Sequence, residues 1–197
     1  MSALVANLLQ FSRTSSSQIS TVDVREEVAN TLELIHYHLR KSNILTVQEL
    51  SPETPLVHVD RQQLRQVFLN LFSNAADAMP QGGTLTVRTW PGEKPHPGTT
   101  LPLRRTATPS LGLPISSLPQ MFIEVADTGE GISPERLERV WEPFFTTKPE
   151  GKGTGLGLAI CRRIIHEHGG TIEIISDGVP GKGTTVRIAL PAVRDKC

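Results

Sequence analysis

The run from Leu156 to Gly170, Leu-Gly-Leu-Ala-Ile-Cys-Arg-Arg-Ile-Ile-His-Glu-His-Gly-Gly, leads into Thr171-Ile-Glu-Ile-Ile-Ser176 and, past a turn at Gly178 to Gly183, into Thr184-Thr-Val-Arg-Ile-Ala-Leu190. It predicts a helix near 156–168 and then two strongly alternating strands, 171–176 and 184–190, with only a turn between them. A doubly wound parallel sheet needs a crossover between neighbouring strands, and here there is none. Further upstream the pattern is similarly mixed. A strand is expected at 19–22. Asp23 caps a helix to about Lys41, with Glu26 three residues on as in a capping box and Val28, Leu32, Ile35 and Leu39 as its apolar stripe. Strands are expected at 44–49 and 56–59. Asp60 opens a second helix, apolar at Leu64, Val67, Leu71, Ala75 and Ala78, which stops at Pro80. Gly82 and Gly83 turn the chain into a strand marked by Leu85 and Val87, and another strand runs from Met121 to Ala126. The implied fold class is an α/β two-layer sandwich with a mixed, mostly antiparallel sheet. Residues 91–119, rich in Pro, Gly, Ser and Thr without a period, read as a surface insertion.

Composition narrows the function classes. The chain has 197 residues, enough for one domain with a proper core. Twenty basic and twenty acidic residues balance, and no basic tract is present to track a nucleic-acid backbone, so no nucleic-acid partner is expected. No apolar run approaches a membrane span, and serines from Ser12 onward interrupt the N-terminal apolar stretch. The expectation is therefore a cytoplasmic chain, whose parent could still be membrane-anchored. Of the two cysteines, Cys161 lies in an apolar helical run and reads as a small buried hydrophobe.

Three stretches carry chemistry. Asn70-Leu-Phe-Ser-Asn74-Ala-Ala-Asp77 places three oxygen-bearing side chains on one helix face at i, i+4 and i+7. Such oxygens suit a hard cation accompanied by phosphate. On this helix alone, a solvated polar stripe is an equally good reading. Asp127-Thr128-Gly129-Glu130-Gly131-Ile132 follows an apolar strand. A carboxylate there can accept from an exocyclic amine, while the glycines admit a flat ring. Gly151-Lys-Gly153-Thr154-Gly155-Leu156-Gly157, with Lys148 just upstream, runs straight into a helix, and its backbone N–H groups can wrap phosphates. Neither a P-loop pattern nor a Rossmann glycine pattern occurs.

Taken in order, these stretches resemble the boxes of the GHKL superfamily, with its Bergerat-type ATP pocket. Asn70–Asp77 resembles the N box and Asp127–Gly131 the G1 box. Trp141-Glu-Pro-Phe144-Phe145-Thr-Thr-Lys148 resembles the F box, with Trp in place of the usual first Phe, and Gly151–Gly157 the G2 box. Gly181-Lys-Gly183-Thr184-Thr185 is similar to the terminal Gly-Thr segment. The resemblance implies ATP and Mg²⁺ as cofactors. It implies that Asp127 binds the adenine amino group with support from Thr184, and that Asn74 holds the metal with Asn70 alongside. Lys148 and the backbone of Gly153, Gly155 and Gly157 would meet the phosphates, and Asn70, Asn74 and Lys148 would be the catalytic set. Asp77, Gly129, Gly131, Ile132, Phe145, Thr154 and Leu156 complete the implied nucleotide site, and Phe144 and Phe145 would anchor a lid against the core. Residues 2–13 resemble the end of a dimerisation helix. The implied domains are thus 1–18, the end of a dimerisation and phosphoacceptor domain with its linker, and 19–193, the catalytic domain with its insertion at 91–119. The subtype is similar to kinases of the nitrogen-regulation kind, whose N box continues, as here, into Ala-Met-Pro-x-Gly-Gly.

Within the superfamily, ATPases such as gyrase-type topoisomerases, Hsp90-type chaperones and MutL-type repair proteins carry Glu at the first N-box position to activate water. Asn70 stands there in this chain, and an amide cannot take a proton at neutral pH. This favours transfer to a protein acceptor, as in a sensor histidine kinase. None of the six histidines has an H-box context, so the acceptor is expected outside this chain, in the dimerisation domain of the same full-length kinase, with a response regulator as onward partner. A monomer or weak dimer is expected. The competing readings are a non-catalytic ATP-binding docking module and an anti-sigma-type serine kinase.

Overall fold

The computed structural model describes residues 18–92, 120–149 and 153–193. The helix expected over 2–12, most of the expected insertion, and Gly151 and Lys152 lie outside the described residues. In chain order the elements are β1 (Ile19–Val22), α1 (Val24–Lys41), β2 (Ile44–Leu50), β3 (Val57–Asp60), α2 (Arg61–Asp77), β4 (Gly83–Pro91), β5 (Gln120–Asp127), α3 (Pro134–Leu137), α4 (Gly157–Glu167), β6 (Thr171–Ile175) and β7 (Thr185–Pro191).

Five strands form one sheet in the order β2-β4-β5-β7-β6. Only β2 and β4 run parallel, and every other neighbouring pair is antiparallel. Alternation sends Leu85 and Val87 of β4, Met121, Ile123 and Val125 of β5, and Val186, Ile188 and Leu190 of β7 into one core. The helices supply the other half of that core: Val28 and Leu32 from α1, Leu64, Val67, Phe68, Leu71 and Phe72 from α2, and Ile160, Cys161, Ile164 and Ile165 from α4. The architecture is the expected two-layer sandwich. Burying one such side chain contributes roughly 1.5–3 kcal/mol, whereas an exposed polar pair contributes about 1 kcal/mol at most. The apolar stripe therefore holds α2 in place. Asn70, Asn74 and Asp77, on the flank beside that stripe, are left for chemistry.

Local capping fixes where α2 starts. The Asp60 carboxylate accepts from the N–H groups of Gln62 (2.9 Å) and Gln63 (3.1 Å) and from Gln18 N–H (3.0 Å). The Asp60 N–H donates to His168 Nε2 (2.9 Å), and His168 Nδ1 lies 2.8 Å from the Ile164 carbonyl. His168 thus ties the end of α4 to the beginning of α2. With both ring nitrogens engaged by backbone, it is a structural residue.

Three local features differ from the sequence expectation or are left open by it. The strands β1 and β3 do not join the main sheet. They pair with each other, antiparallel from Ile19↔Asp60 to Val22↔Val57, as a separate two-stranded sheet. The cap of α1 is not a reciprocal box either. Asp23 accepts from Arg25 N–H (2.9 Å) and is clamped by the Arg25 guanidinium (2.7 and 3.1 Å), which holds its carboxyl below the ordinary aspartate range. Glu26 turns instead toward Arg61, at 3.8 Å. Finally, Pro134–Leu137 forms a single helical turn with Pro at its start, too short to show as a periodic pattern. Among the described residues, no helix is long and apolar enough to cross a membrane.

Candidate functional site

Asp127 closes β5, in register with Leu85 at the start of β4. Its Oδ1 accepts from Gly129 N–H (2.8 Å) and Thr184 N–H (3.1 Å), and its own N–H donates to the Thr184 carbonyl (2.9 Å). Oδ2 has no hydrogen-bond partner among the described residues. Burial pushes the Asp127 carboxyl above the ordinary aspartate value, against the pull of those two backbone donors. The result is a carboxylate fixed through one oxygen, with the other available as an acceptor.

The loop that follows lies on the end of α2. Glu130 N–H donates to the Ala78 carbonyl (3.1 Å), and a Cβ on Gly129 would meet that same oxygen at 2.4 Å. Only glycine lets the backbone come so close. Thr128 Oγ1 accepts from Thr84 N–H (3.0 Å) and ties the loop to β4 as well. Gly131 and Ile132 then pass Ser176, whose hydroxyl accepts from Ile132 N–H (2.9 Å) and donates to the Gly183 carbonyl (2.8 Å).

One turn back along α2, Asn74 and Asp77 share a cation. Lys148 Nζ lies 3.1 Å from Asn74 Oδ1 and 2.5 Å from Asp77 Oδ2. Asn70 turns its amide toward the Gly157 carbonyl (3.4 Å), and both Asn70 and Asn74 lie within 4 Å of the empty side-chain position of Gly157. The α4 helix begins at that glycine with no side-chain cap, so its first N–H groups lack a side-chain acceptor at an end that lies next to the two asparagines. Leu156 is buried and anchors this junction. Gly155 accepts from Phe144 N–H (2.9 Å), Thr154 Oγ1 accepts from Leu156 N–H (3.4 Å), and Gly153 packs against Thr146 and Lys148.

Most of the residues picked from the sequence therefore gather at the C-terminal end of α2. Asn70, Asn74, Asp77, Lys148 and Gly157 form one group. Asp127, Gly129, Gly131, Ile132 and Thr184 form the other, and the Ala78 carbonyl receives the loop of the second group directly beside Asp77 of the first. Phe144 departs from expectation. The residue is 64% exposed and its φ is +70°, so it does not anchor a lid against the core. The bond from its N–H to Gly155 orients its backbone, and the ring points outward. The Phe145 ring lies beneath the Arg139 guanidinium, 4.4 Å from its centroid. Cys161 is the expected buried hydrophobe, with its thiol pushed up to about 12 by burial. Sequence reading missed Ser176, which stands at the end of an alternating strand and carries no motif signal. An open groove of about 330 Å³ between α1 and β2, lined by Leu32, His36, Thr46 and Gln48, gathers none of these residues.

Residues 59–194 match the family model described as histidine kinase-, DNA gyrase B- and HSP90-like ATPase. Sensor kinase CckA of Brucella abortus (strain 2308) is 38% identical over 192 residues, which cover 96% of this chain and 19% of that protein. The signal transduction histidine-protein kinase AtoS of Escherichia coli (strain K12) is 32% identical over 188 residues, 95% of this chain and 26% of that protein. Among solved structures, the mycobacterial sensor histidine kinase MprB superposes with a TM-score of 0.66 at 28% identity, over 88% of this chain and 97% of that one. The chain spans about a fifth to a quarter of the length of those two curated relatives.

Proposed function

This chain belongs to the histidine kinase-, DNA gyrase B- and HSP90-like ATPase family, and on that premise we propose that it is the Mg-ATP-binding catalytic part of a two-component sensor histidine kinase. The observation that carries this reading is the convergence on one helix end. The fixed carboxylate of Asp127 reaches Ala78 through its loop, and the cation-holding pair Asn74 and Asp77 stands directly before Ala78 on α2.

In this reading Asp127 Oδ2 accepts from the adenine amino group, with Thr184 beside it and Gly129, Gly131 and Ile132 walling the base. The donor set fits a magnesium ion. The Lys148 ammonium between an amide oxygen and a carboxylate oxygen is a protein-borne cation in that position, and Mg²⁺ takes few protein oxygens of this kind. Asn74 would hold the metal, with Asn70 alongside and Asp77 in reach. Bound there, Mg²⁺ would neutralise charge on the triphosphate. Lys148, the backbone of Gly153 to Gly157 and the uncapped start of α4 would orient the phosphates, and Phe145 and Thr154 would shape the loop around them.

Asn70 cannot serve as a general base, which favours phosphoryl transfer over hydrolysis. Such transfer rests on positioning and charge neutralisation, and this chain supplies both. The acceptor would be a histidine in a dimerisation domain of the same kinase. Residues 1–18 are assigned to the end of that domain and its linker, and 19–193 to the catalytic domain, with an insertion at 91–119. A response regulator would take the phosphoryl group onward. The Ala78-Met79-Pro80-Gln81-Gly82-Gly83 continuation supports the nitrogen-regulation subtype, and a cytoplasmic setting belongs to the same reading. The test is incubation with Mg-ATP and a separately supplied dimerisation domain carrying an H-box histidine. The expected product is an acid-labile phosphohistidine on that domain. Acid-stable phosphoserine would support the serine-kinase alternative, and nucleotide binding with no transfer to any acceptor would support the non-catalytic one.

A further inference from the structure

Ser176 lies just past β6, outside every sequence motif of the site, yet its hydroxyl joins two of them. A hydroxyl has one proton to donate and two lone pairs to accept with. The Gly183 carbonyl can only accept, so it takes the proton at 2.8 Å. Ile132 N–H can only donate, so it occupies a lone pair at 2.9 Å. Gly178 N–H approaches the other at 3.4 Å. The partners thus fix the orientation of the hydroxyl.

The Gly183 carbonyl and the Thr184 N–H belong to one planar peptide. Ser176 holds the oxygen end of that plane, and Asp127 Oδ1 accepts from its nitrogen end at 3.1 Å. The fit is tight. Gly183 has a φ of +67°, and a Cβ there would lie 1.8 Å from the Asp127 carbonyl oxygen, so no other residue can replace it without moving the peptide. This peptide and Gly129 N–H, which donates to the same Oδ1 at 2.8 Å, together set which carboxylate oxygen of Asp127 is engaged and which is left free.

We propose that Ser176 is a positioning residue for purine selection: through the Gly183–Thr184 peptide and Ile132 it aims the free oxygen of Asp127 at the exocyclic amino group of adenine. This deepens the nucleotide reading above and rests on it. Without the hydroxyl, the Gly183 carbonyl loses its donor, the peptide is held only from its nitrogen end, and the Thr184–Asp127 bond loosens. The loss falls on the contact to the amino group and not on the phosphates, which are held some distance along α2.

The test compares ATP with inosine triphosphate, which carries an oxygen in place of the amino group, in calorimetric titrations with Mg²⁺ on the whole chain. The wild type binds ATP more tightly than inosine triphosphate. Ser176→Ala weakens ATP binding about five- to tenfold, the scale of one lost hydrogen bond, and leaves inosine triphosphate unchanged, so that the preference narrows. Ser176→Thr, which keeps the hydroxyl, retains the wild-type preference. Ser176→Cys, close in size but a weak donor, behaves as alanine does and replaces it if the alanine variant does not fold. Equal losses for both nucleotides, no loss for either, or a threonine variant as poor as alanine overturns the assignment. A wild-type chain that does not prefer ATP defeats the adenine reading itself and this inference with it, a result visible before any variant is made.

Discussion

The two faces of the main sheet end in opposite uses of charge. On the face away from the helices, Glu49, Arg88, Glu124, Arg187 and Glu173 form one ladder across all five strands, each pair in direct register. The contacts are 2.6, 2.9, 2.8 and 3.1 Å from one edge to the other. Both oxygens of Glu124 are taken, one by Arg88 and one by Arg187. Two residues along the same strands, Trp90 and Phe122 stack at 5.5 Å with Ala189 beside them. On the helix side, at the end of α2, Asp127 keeps one oxygen without a partner among the described residues and Lys148 bridges Asn74 and Asp77 from a loop. The ladder pairs every one of its charges and leaves only the buried Arg187 Nε without a hydrogen-bond partner, while the pocket is left open at the atoms a ligand would use. A closed array serves stability. An open one gives up some stability for the capacity to bind.

This contrast can be broken most severely at the centre of the ladder. Glu124→Ala leaves Arg187, only 4% exposed, with a buried charge and one remaining partner at the rim. The expected cost is about 3–5 kcal/mol of unfolding free energy, as for other half-broken buried pairs, read by urea denaturation. The fraction that remains folded should bind Mg-ATP normally, and a lost affinity in folded protein would erase the division between the two arrays. The opposite pattern is expected at Asn74. Asn74→Ala should weaken nucleotide binding at least about tenfold (~1.4 kcal/mol) when Mg²⁺ is present and much less when it is chelated, with the melting temperature little changed. Equal losses with and without metal would remove Asn74 from the cation site.

Acidity sharpens the same comparison. Because burial raises the Asp127 carboxyl, ATP affinity should decline on acidification at a pH above the ordinary aspartate value of about 3.9. The sign follows from the chemistry: a protonated Asp127 is a poorer acceptor for the adenine amine, so binding is full above the raised value and lost below it. Calorimetry across the acid range would show this, and a decline only within the ordinary carboxylate range would indicate that another group controls binding. The smallest effect belongs to the rim of the ladder. Glu49 has a side chain 51% exposed, and Glu49→Gln should cost less than about 1 kcal/mol, since solvent and salt screen such pairs.

The two arrays also differ in how far the sequence discloses them. The pocket is legible because each of its parts is local. The positions i, i+4 and i+7 on α2, a carboxylate and glycines after a strand, and glycines leading into a helix can all be read without tertiary knowledge. The ladder cannot be read in this way. Its members sit 14 to 63 residues from their partners, and their meeting depends on strand register, which no short-range pattern encodes. The same reasoning covers the other omissions. Alternation marks β1 and β3 as strands but does not say that they pair with each other and leave the main sheet. Ser176 reads as the last residue of a strand, and its two closer partners come from loops 44 and 7 residues away. Phe144 carries the apolar signature of a core residue, yet its backbone is turned to meet Gly155, and that sends the ring outward.

The most direct test of the pocket is a pair of calorimetric titrations with Mg-ATP near neutral pH, wild type against Asp127→Asn. The amide oxygen of asparagine can still accept from Gly129 and Thr184, so the fold and its melting temperature should hold, but its NH₂ group meets the adenine amine donor to donor. The account predicts saturable heat in the wild type and an affinity at least about a hundredfold weaker in the variant (~2.7 kcal/mol). Indistinguishable affinities in two equally stable proteins would contradict it.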